Sequence, residues 1–451
     1  MSTTEPASEP PRSEVVAPSI EQLEPHNLLA LSAYSVLLRF AWIFKTESVI
    51  IPAFLDSIAG AGWLRGCLPV LNRFGQSLPP MFFARRLRQA RHKKWSLLAT
   101  SVVMGLTLIV LAVLWHLLND RRQSWLPAVF LFLYLVFFVS NGLNQLSFGT
   151  LQGKLIRADR RGELLGLSGI GGSVASVIGA WFLLQYWLSL EGRGFGYIFG
   201  FSGLGFLVAG ATCFFVKEPP DVGQVSNLPA NIGNQVDGQV KNLPHTDGGI
   251  AASFRLIQDD RQFRKLAIVA MLFIAIQLLF PHFQALGQLR VAEDQIGYQL
   301  MLWVIAQNVA VGVFSFISGK LTDRFGNRLS LQLQVFGTAI VPLLALLFTS
   351  GIVGLGPQHF WLTFFFLGLT PVTIKTLTNY SLELAEPSRH PLYVSTLQAC
   401  LAVPFCLSPL VGWLVDLVGF EPVFLGISGV ILLGGLASFR LHEPRHDAGR
   451  V

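Results

Sequence analysis

Glu47, Arg73 and Lys375 are ionisable residues set inside long apolar stretches of a chain that is 52% apolar and only 13% charged. A charge at the centre of a bilayer costs about 3 kcal/mol even on lenient insertion scales, so such side chains should face protein or water and mark a pathway. Glu47 is the one acid well inside a stretch, since Asp56 and Asp416 fall near segment ends. A carboxylate there can take up and release a proton as its surroundings change, which makes Glu47 the candidate for proton coupling; the alternative is an ion pair with Arg73 or Lys375. Arg73 lies in "NRFGQ", where Asn72 and Gln76 complete a polar face. Its five fixed donors match a carboxylate or phosphate bidentately. Arg39 and Lys45 share the stretch of Glu47, so the count runs four cations to one anion and favours an anionic ligand, although Arg39 can snorkel to the surface.

An offset of 235 sets Asn72 and Arg73 on Gln307 and Asn308, so two segments offer polar pairs at one depth, a candidate ligand shelf. Lys375, with Thr373, Thr376 and Asn379, decorates "TPVTIKTLTNY", and Asn141, Asn144 and Gln145 decorate an earlier segment. Asn and Gln in such places commonly bond to neighbouring helices instead of a ligand. His282, beside Pro281, is a second candidate for proton coupling, against the alternative of a simply hydrogen-bonded ring.

These residues need elements to hold them. Segments of about 20 residues, the length a bilayer requires, fall at about 33–60, 62–84, 95–118, 126–148, 164–188, 196–216, 263–289, 297–318, 330–350, 359–381, 394–418 and 422–440. Arg85, Arg86, Arg88, Arg91, Lys93 and Lys94, then Lys154, Arg157, Arg160 and Arg161, then Lys320, Arg324 and Arg328 all fall in loops on one side. Cations resist translocation, so that side and both termini are expected in the cytosol of a multi-pass membrane protein. The net charge of +7 is then topology, and no nucleic-acid partner is implied.

The organisation reads as a disordered tail over 1–30, a bundle over 31–216, a linker over 217–262, a second bundle over 263–441 and a tail over 442–451. The linker repeats a heptad, "GQVSNLP" at 223 and "GQVKNLP" at 238. The halves match at an offset near 230: Pro52 with Pro281 and Phe54 with Phe283 at 229, Arg161 with Arg389 and Leu164 with Leu392 at 228. Duplicated units of this kind build transport folds with the site at their interface. Cys67, Cys213, Cys400 and Cys406 match no metal spacing, and neither a metal nor a cofactor is expected.

"GKLTDRFGNR", residues 319–328, crowds both signs of charge into the loop between the eighth and ninth segments. Here the sequence resembles the major facilitator superfamily, whose signature in this loop is a Gly, an Asp-Arg pair three residues on, a Gly and further cations. Gly319, Asp323, Arg324, Gly326 and Arg328 fit it, and the resemblance covers nearly all of residues 30 to 441. It implies an all-α membrane protein of twelve transmembrane helices in two pseudo-symmetric six-helix bundles. The first, fourth, seventh and tenth helices would line a cavity. It also implies that the loop docks near "RADRRGE", with Asp323 pairing with Arg160 or Arg161, and Arg324 or Arg328 with Glu163, in the state closed to the cytosol. In the first half Ala84 and Arg88 replace Gly319 and Asp323, so one latch of two is expected.

The expected function is a secondary active transporter of a small, anionic solute working by alternating access and coupled to protons. The alternatives are a proton-driven efflux pump for amphipathic compounds and a non-transporting membrane sensor. Export gains no support from the fifth segment, where the Gly-Pro motif of the family's antiporters lacks its proline. A membrane-embedded enzyme is disfavoured because the loops carry no His-rich, paired-acid or nucleophile-elbow pattern.

Overall fold

The computed structural model describes residues 20–89, 92–118, 122–157, 160–190, 193–218, 250–351, 356–386 and 389–443. The tail over 1–19, both heptad copies, and the side chains of Ala84, Arg85, Arg86, Arg88, Arg161 and Glu163 lie outside the described residues. Without water to satisfy the backbone, apolar segments close their hydrogen bonds internally, and the described residues are almost all helical with no strand among them. Among the described residues, eight helical runs are long and apolar enough to cross a membrane. One of them, Glu293–Ser350, is two rods, because Gly326 leaves helical geometry at φ 85°. That makes nine. The first (Ile20–Ile43 and Ile50–Ala59), second (Gly62–Gln89) and fifth (Arg161–Gly179, extended to Leu188) spans bring the number to twelve.

The first span is broken. Its helix stops at Ile43 and restarts at Ile50, held across the gap by Lys45 N–H to the Trp42 carbonyl at 3.1 Å and Ile50 N–H to the Thr46 carbonyl at 3.0 Å. The seventh span loosens at the corresponding depth, where Ile274–Leu279 forms a 3₁₀ stretch before Phe280–Gln288 resumes the helix. Pro52 and Pro281, the pair matched by sequence, stand in the first turn of each restarted piece, where a missing N–H costs least.

Helix pairing repeats in the two halves. The first span packs on the fifth and sixth, and the third on the fourth and sixth; the seventh packs on the eleventh and twelfth, and the eighth-to-ninth run on the tenth and twelfth. A second echo lies at the end of each half. Glu218, in "VKEP", accepts from the N–H groups of Lys93 and Lys94 at 3.1 Å each and from Lys154 Nζ at 3.0 Å, capping the third span. Glu443, in "LHEP", accepts from Arg328 N–H at 2.8 Å, capping the ninth.

Three expected boundaries move. The helix of the first span begins at Ile20, not after residue 30, because Glu24 and Asn27 are buried partners: Glu24 holds Arg157 at 2.9 Å and Asn27 exchanges two bonds of 2.9 Å with the Lys217 backbone. The expected linker ends in a helix, Ile250–Asp259, which packs on the eleventh span. Glu443 is buried, so the second bundle extends past 441.

The halves touch at the face opposite the cation-rich loops. The second span meets the eleventh so closely that a Cβ on Gly412 would lie 2.7 Å from the Gly62 carbonyl carbon. Asp416 of the eleventh span caps the start of the second, accepting from Gly62 N–H at 2.8 Å and Trp63 N–H at 3.1 Å. Leu188, at the end of the fifth span, abuts Gly297 at the start of the eighth.

Candidate functional site

On a regular helix, side chains two residues apart diverge. The break in the first span removes that constraint, and Lys45 Nζ comes to 3.2 Å from Glu47 Oε1. Lys45 is 1% exposed, its ammonium lying 3.5 Å over the Trp42 ring, 4.3 Å over Phe137 and 4.5 Å over Phe138. Ring faces and a carboxylate together replace the water a buried ammonium loses. The partner of Glu47 is thus Lys45, not Arg73 or Lys375. The other oxygen of Glu47 accepts from Asn72, Asn72 accepts from Gln76, and Gln76 accepts from Gln145 at 3.4 Å. A polar ladder therefore joins the first, second and fourth spans.

Arg73 reaches across the halves. Its Nη2 donates to the Gln398 side-chain oxygen at 2.7 Å and to the Gln398 carbonyl at 3.1 Å, its guanidinium lies 5.9 Å from the Phe405 ring, and its Nε is buried without a hydrogen-bond partner among the described residues. Glu47, Asn72, Arg73, Gln76 and Tyr134 of the first half, with Gln277, Phe280, Pro281, Ile374 and Phe405 of the second, enclose a cavity of about 200 Å³. The first half brings nearly all of its polarity.

The other expected ligands lie elsewhere. Lys375 and Asn379 are exposed to a second cleft of about 450 Å³ between the eighth and tenth spans, shared with Thr322, Asp323, Asn327 and Glu383. Ile374 faces the Arg73 cavity, and one residue's turn of about 100° carries Lys375 away from it. Gln307 accepts from Ser48 at 2.5 Å, and Asn308 donates to its own helix at the Val304 carbonyl, 2.8 Å away, so the shelf expected from two helices is built on one. His282 is fully buried with both ring nitrogens unpartnered among the described residues, and lines neither cavity. Asn144 bonds Tyr34, Ser101 and Thr100 at 2.8, 2.9 and 3.0 Å, the interhelical role weighed for it.

The signature loop turns at Gly326, whose positive φ and contact with the Glu443 carboxylate leave no room for a side chain. Gly319 lies within a helix with open space around it. The helix start after the turn is capped by Glu443, while Asp323 stays exposed. Arg328 donates to the Phe439 carbonyl at 2.9 Å, Arg324 lies over the Phe325 ring at 5.2 Å, and Arg160 stands 3.9 Å from Glu24. In this conformation each of these groups is engaged inside its own half.

Sequence reasoning missed Gln398, Ser48 and Asp416 as partners across the halves. Nothing in the chain flags a contact between residues 325 positions apart. The Glu218 and Glu443 caps did carry a signal, the "KEP" and "HEP" endings at an offset of 443 − 218 = 225.

A family profile described as the Major Facilitator Superfamily matches residues 266–451. The same fold spans both halves in solved structures: the nucleoside transporter NupG superposes with a TM-score of 0.67 at 12% identity, covering 92% of this chain and 98% of that one. The family profile thus covers the second half of the chain, and the fold of both halves is the one these transporters share. Two further transporters share the fold. A peptide transporter POT in complex with sulfate gives 0.68 at 13% identity over 94% of this chain and 98% of its own. The xylose transporter XylE of E. coli, in an inward open conformation, gives 0.60 at 15% identity over 92% and 95%. No curated protein matches the chain.

Proposed function

We propose that this protein is a secondary active transporter of the major facilitator type that moves a small anionic solute by alternating access, with proton coupling through Glu47. The observation that carries the reading is the cavity between the halves: Arg73 supplies it with a cation, Glu47 stands on a polar ladder at its wall, and the halves seal one face while the cation-rich face has no matching contact among the described residues. With the cation-rich face in the cytosol, the chain stands inward open, and both termini lie on that side. A proton arriving on Glu47 cancels its charge and leaves Lys45 held by ring faces alone, and this links protonation to the break in the first span. Glu47 is favoured over His282 for this role because it borders the cavity. The latch of Asp323 with Arg160 or Arg161, and of Arg324 or Arg328 with Glu163, belongs to the opposite state, in which the cation-rich face closes.

Uptake into proteoliposomes driven by an imposed pH gradient tests the reading. Wild type accumulates solute, Glu47→Gln loses the response to the gradient while keeping passive exchange, and Arg73→Ala loses affinity for anions. Equal gradient-driven uptake in wild type and Glu47→Gln rules out coupling at that residue.

A further inference from the structure

Arg73 presents a guanidinium to the cavity with its charge unanswered. Glu47, the acid on the same wall, is occupied by Lys45 and Asn72. The groups that do meet Arg73 are two neutral oxygens of one residue, the side-chain amide at 2.7 Å and the carbonyl at 3.1 Å of Gln398, and its Nε has no partner at all among the described residues. A cation solvated this sparingly by neutral dipoles, beside an open cavity, is a strong site for an anion that can present two oxygens in one plane. The amide oxygen of Gln398 sits where one of those oxygens belongs.

The opposite wall limits what the anion is attached to. Phe280, Pro281, Ile374 and Phe405 give the second half's side a mainly apolar surface on which Gln277 is the one polar lining residue, and the Phe405 ring lies 5.9 Å from the guanidinium. One cation and about 200 Å³ suit a single charge on a compact apolar body, not a polyanion or a sugar.

We propose that Gln398 is a built-in competitor for the substrate: its side chain holds Arg73 in the empty carrier and is displaced by the carboxylate of an apolar, ring-sized organic monoanion. This rests on the transporter reading with Arg73 as the anchor, and adds both the substrate class and a consequence of binding. Gln398 belongs to the eleventh span and Arg73 to the second, so a carboxylate that takes Arg73 removes the shorter of the two bonds that tie the halves there and leaves only the one to the Gln398 carbonyl. Loading is thereby linked to their separation.

The test is binding of sodium benzoate to purified wild type, Gln398→Ala, Gln398→Met, Gln398→Glu and Arg73→Ala, measured by calorimetry, with benzamide and inorganic phosphate as comparison probes. Removing the competing amide should tighten benzoate about tenfold in both Gln398→Ala and Gln398→Met, since one hydrogen bond to a charged group no longer has to break. Gln398→Glu places a carboxylate on Arg73 permanently and should weaken benzoate by at least about tenfold, and Arg73→Ala should abolish it. Benzamide and phosphate should bind wild type more weakly than benzoate. The inference is overturned if benzoate binds none of the proteins, binds no better than benzamide, or binds equally to wild type and both shortened or neutral Gln398 variants. Solute counterflow in proteoliposomes separates this failure from a wider one: flux of some other solute with no benzoate effect sinks the monoanion and leaves the transporter reading, whereas no flux of any solute sinks the transporter.

Discussion

Replacing Gly412 with valine should drive the protein out of the conformation seen here. A Cβ at Gly412 would lie 2.7 Å from the carbonyl carbon of Gly62 and 3.1 Å from the Cα of Trp63, both backbone atoms that cannot rotate aside. Carbon atoms pack best at about 3.5–4.0 Å, so the added atom is about 1 Å too close before the γ-methyls of valine are placed. Overpacking of this kind costs about 1–3 kcal/mol, and because the strain exists only while the second and eleventh spans touch, all of it falls on the sealed state. The ratio of sealed to open conformers should then fall by about 5- to 150-fold. Double electron–electron resonance between nitroxides at 125 and 298, exposed positions on opposite halves at that face, reads the change on a background lacking Cys67 and Cys406. The account predicts a longer, broader distance distribution in Gly412→Val. Identical distributions would mean that the Gly62–Gly412 approach is not a closing contact, and the reasoning fails.

Other expectations follow from the same geometry. Asp416→Asn should shift the same distance in the same direction but less, since a carboxylate at an exposed helix start contributes about 0.3–1 kcal/mol; no shift would assign Asp416 to packing alone. Glu47→Gln leaves the Lys45 ammonium without its counter-charge and should lower stability by about 3 kcal/mol in thermal unfolding, with Lys45→Met added to it restoring most of the loss; a double variant no more stable than Glu47→Gln would deny the pairing. Glu218→Gln, in a side chain with no exposure, removes the charge that caps the third span and holds Lys154, and should cost about 1–2 kcal/mol in the same assay. Tyr34→Phe removes the bond to Asn144 and should cost about 1 kcal/mol, whereas an unchanged melting temperature would show the network to be dispensable.

What could be read from the chain was whatever repeats or counts. The twelve segments follow from apolar length, the cation-rich face from the loops, and the duplicated halves from Pro52 and Pro281, which mark the broken helices as well. Arg73 was legible because an arginine in mid-span demands a reason. The neighbours of these residues were not. Glu47 and Lys45 look incompatible on a helix, and only the break at 44–49 makes them a pair. Lys375 sits next to a residue of the central cavity yet faces another cleft, because helical rotation decides which side chain looks inward and a polar run such as "TPVTIKTLTNY" does not fix that rotation. The signature loop gave no hint that the helix after its turn is capped by Glu443, 115 positions beyond Arg328. Contacts between distant segments depend on how bundles dock, and no local spacing encodes that.

The central claim is that one mid-depth cavity is reached from each face in turn. A single cysteine at position 76, on a background with Cys67, Cys213, Cys400 and Cys406 replaced, puts a reporter on the cavity wall in sealed vesicles of known orientation. A membrane-impermeant maleimide should modify it from the cation-rich side in the otherwise unaltered protein and from the opposite side when Gly412→Val is added. Modification from the same side in both, or from neither side in either, would contradict alternating access around this cavity.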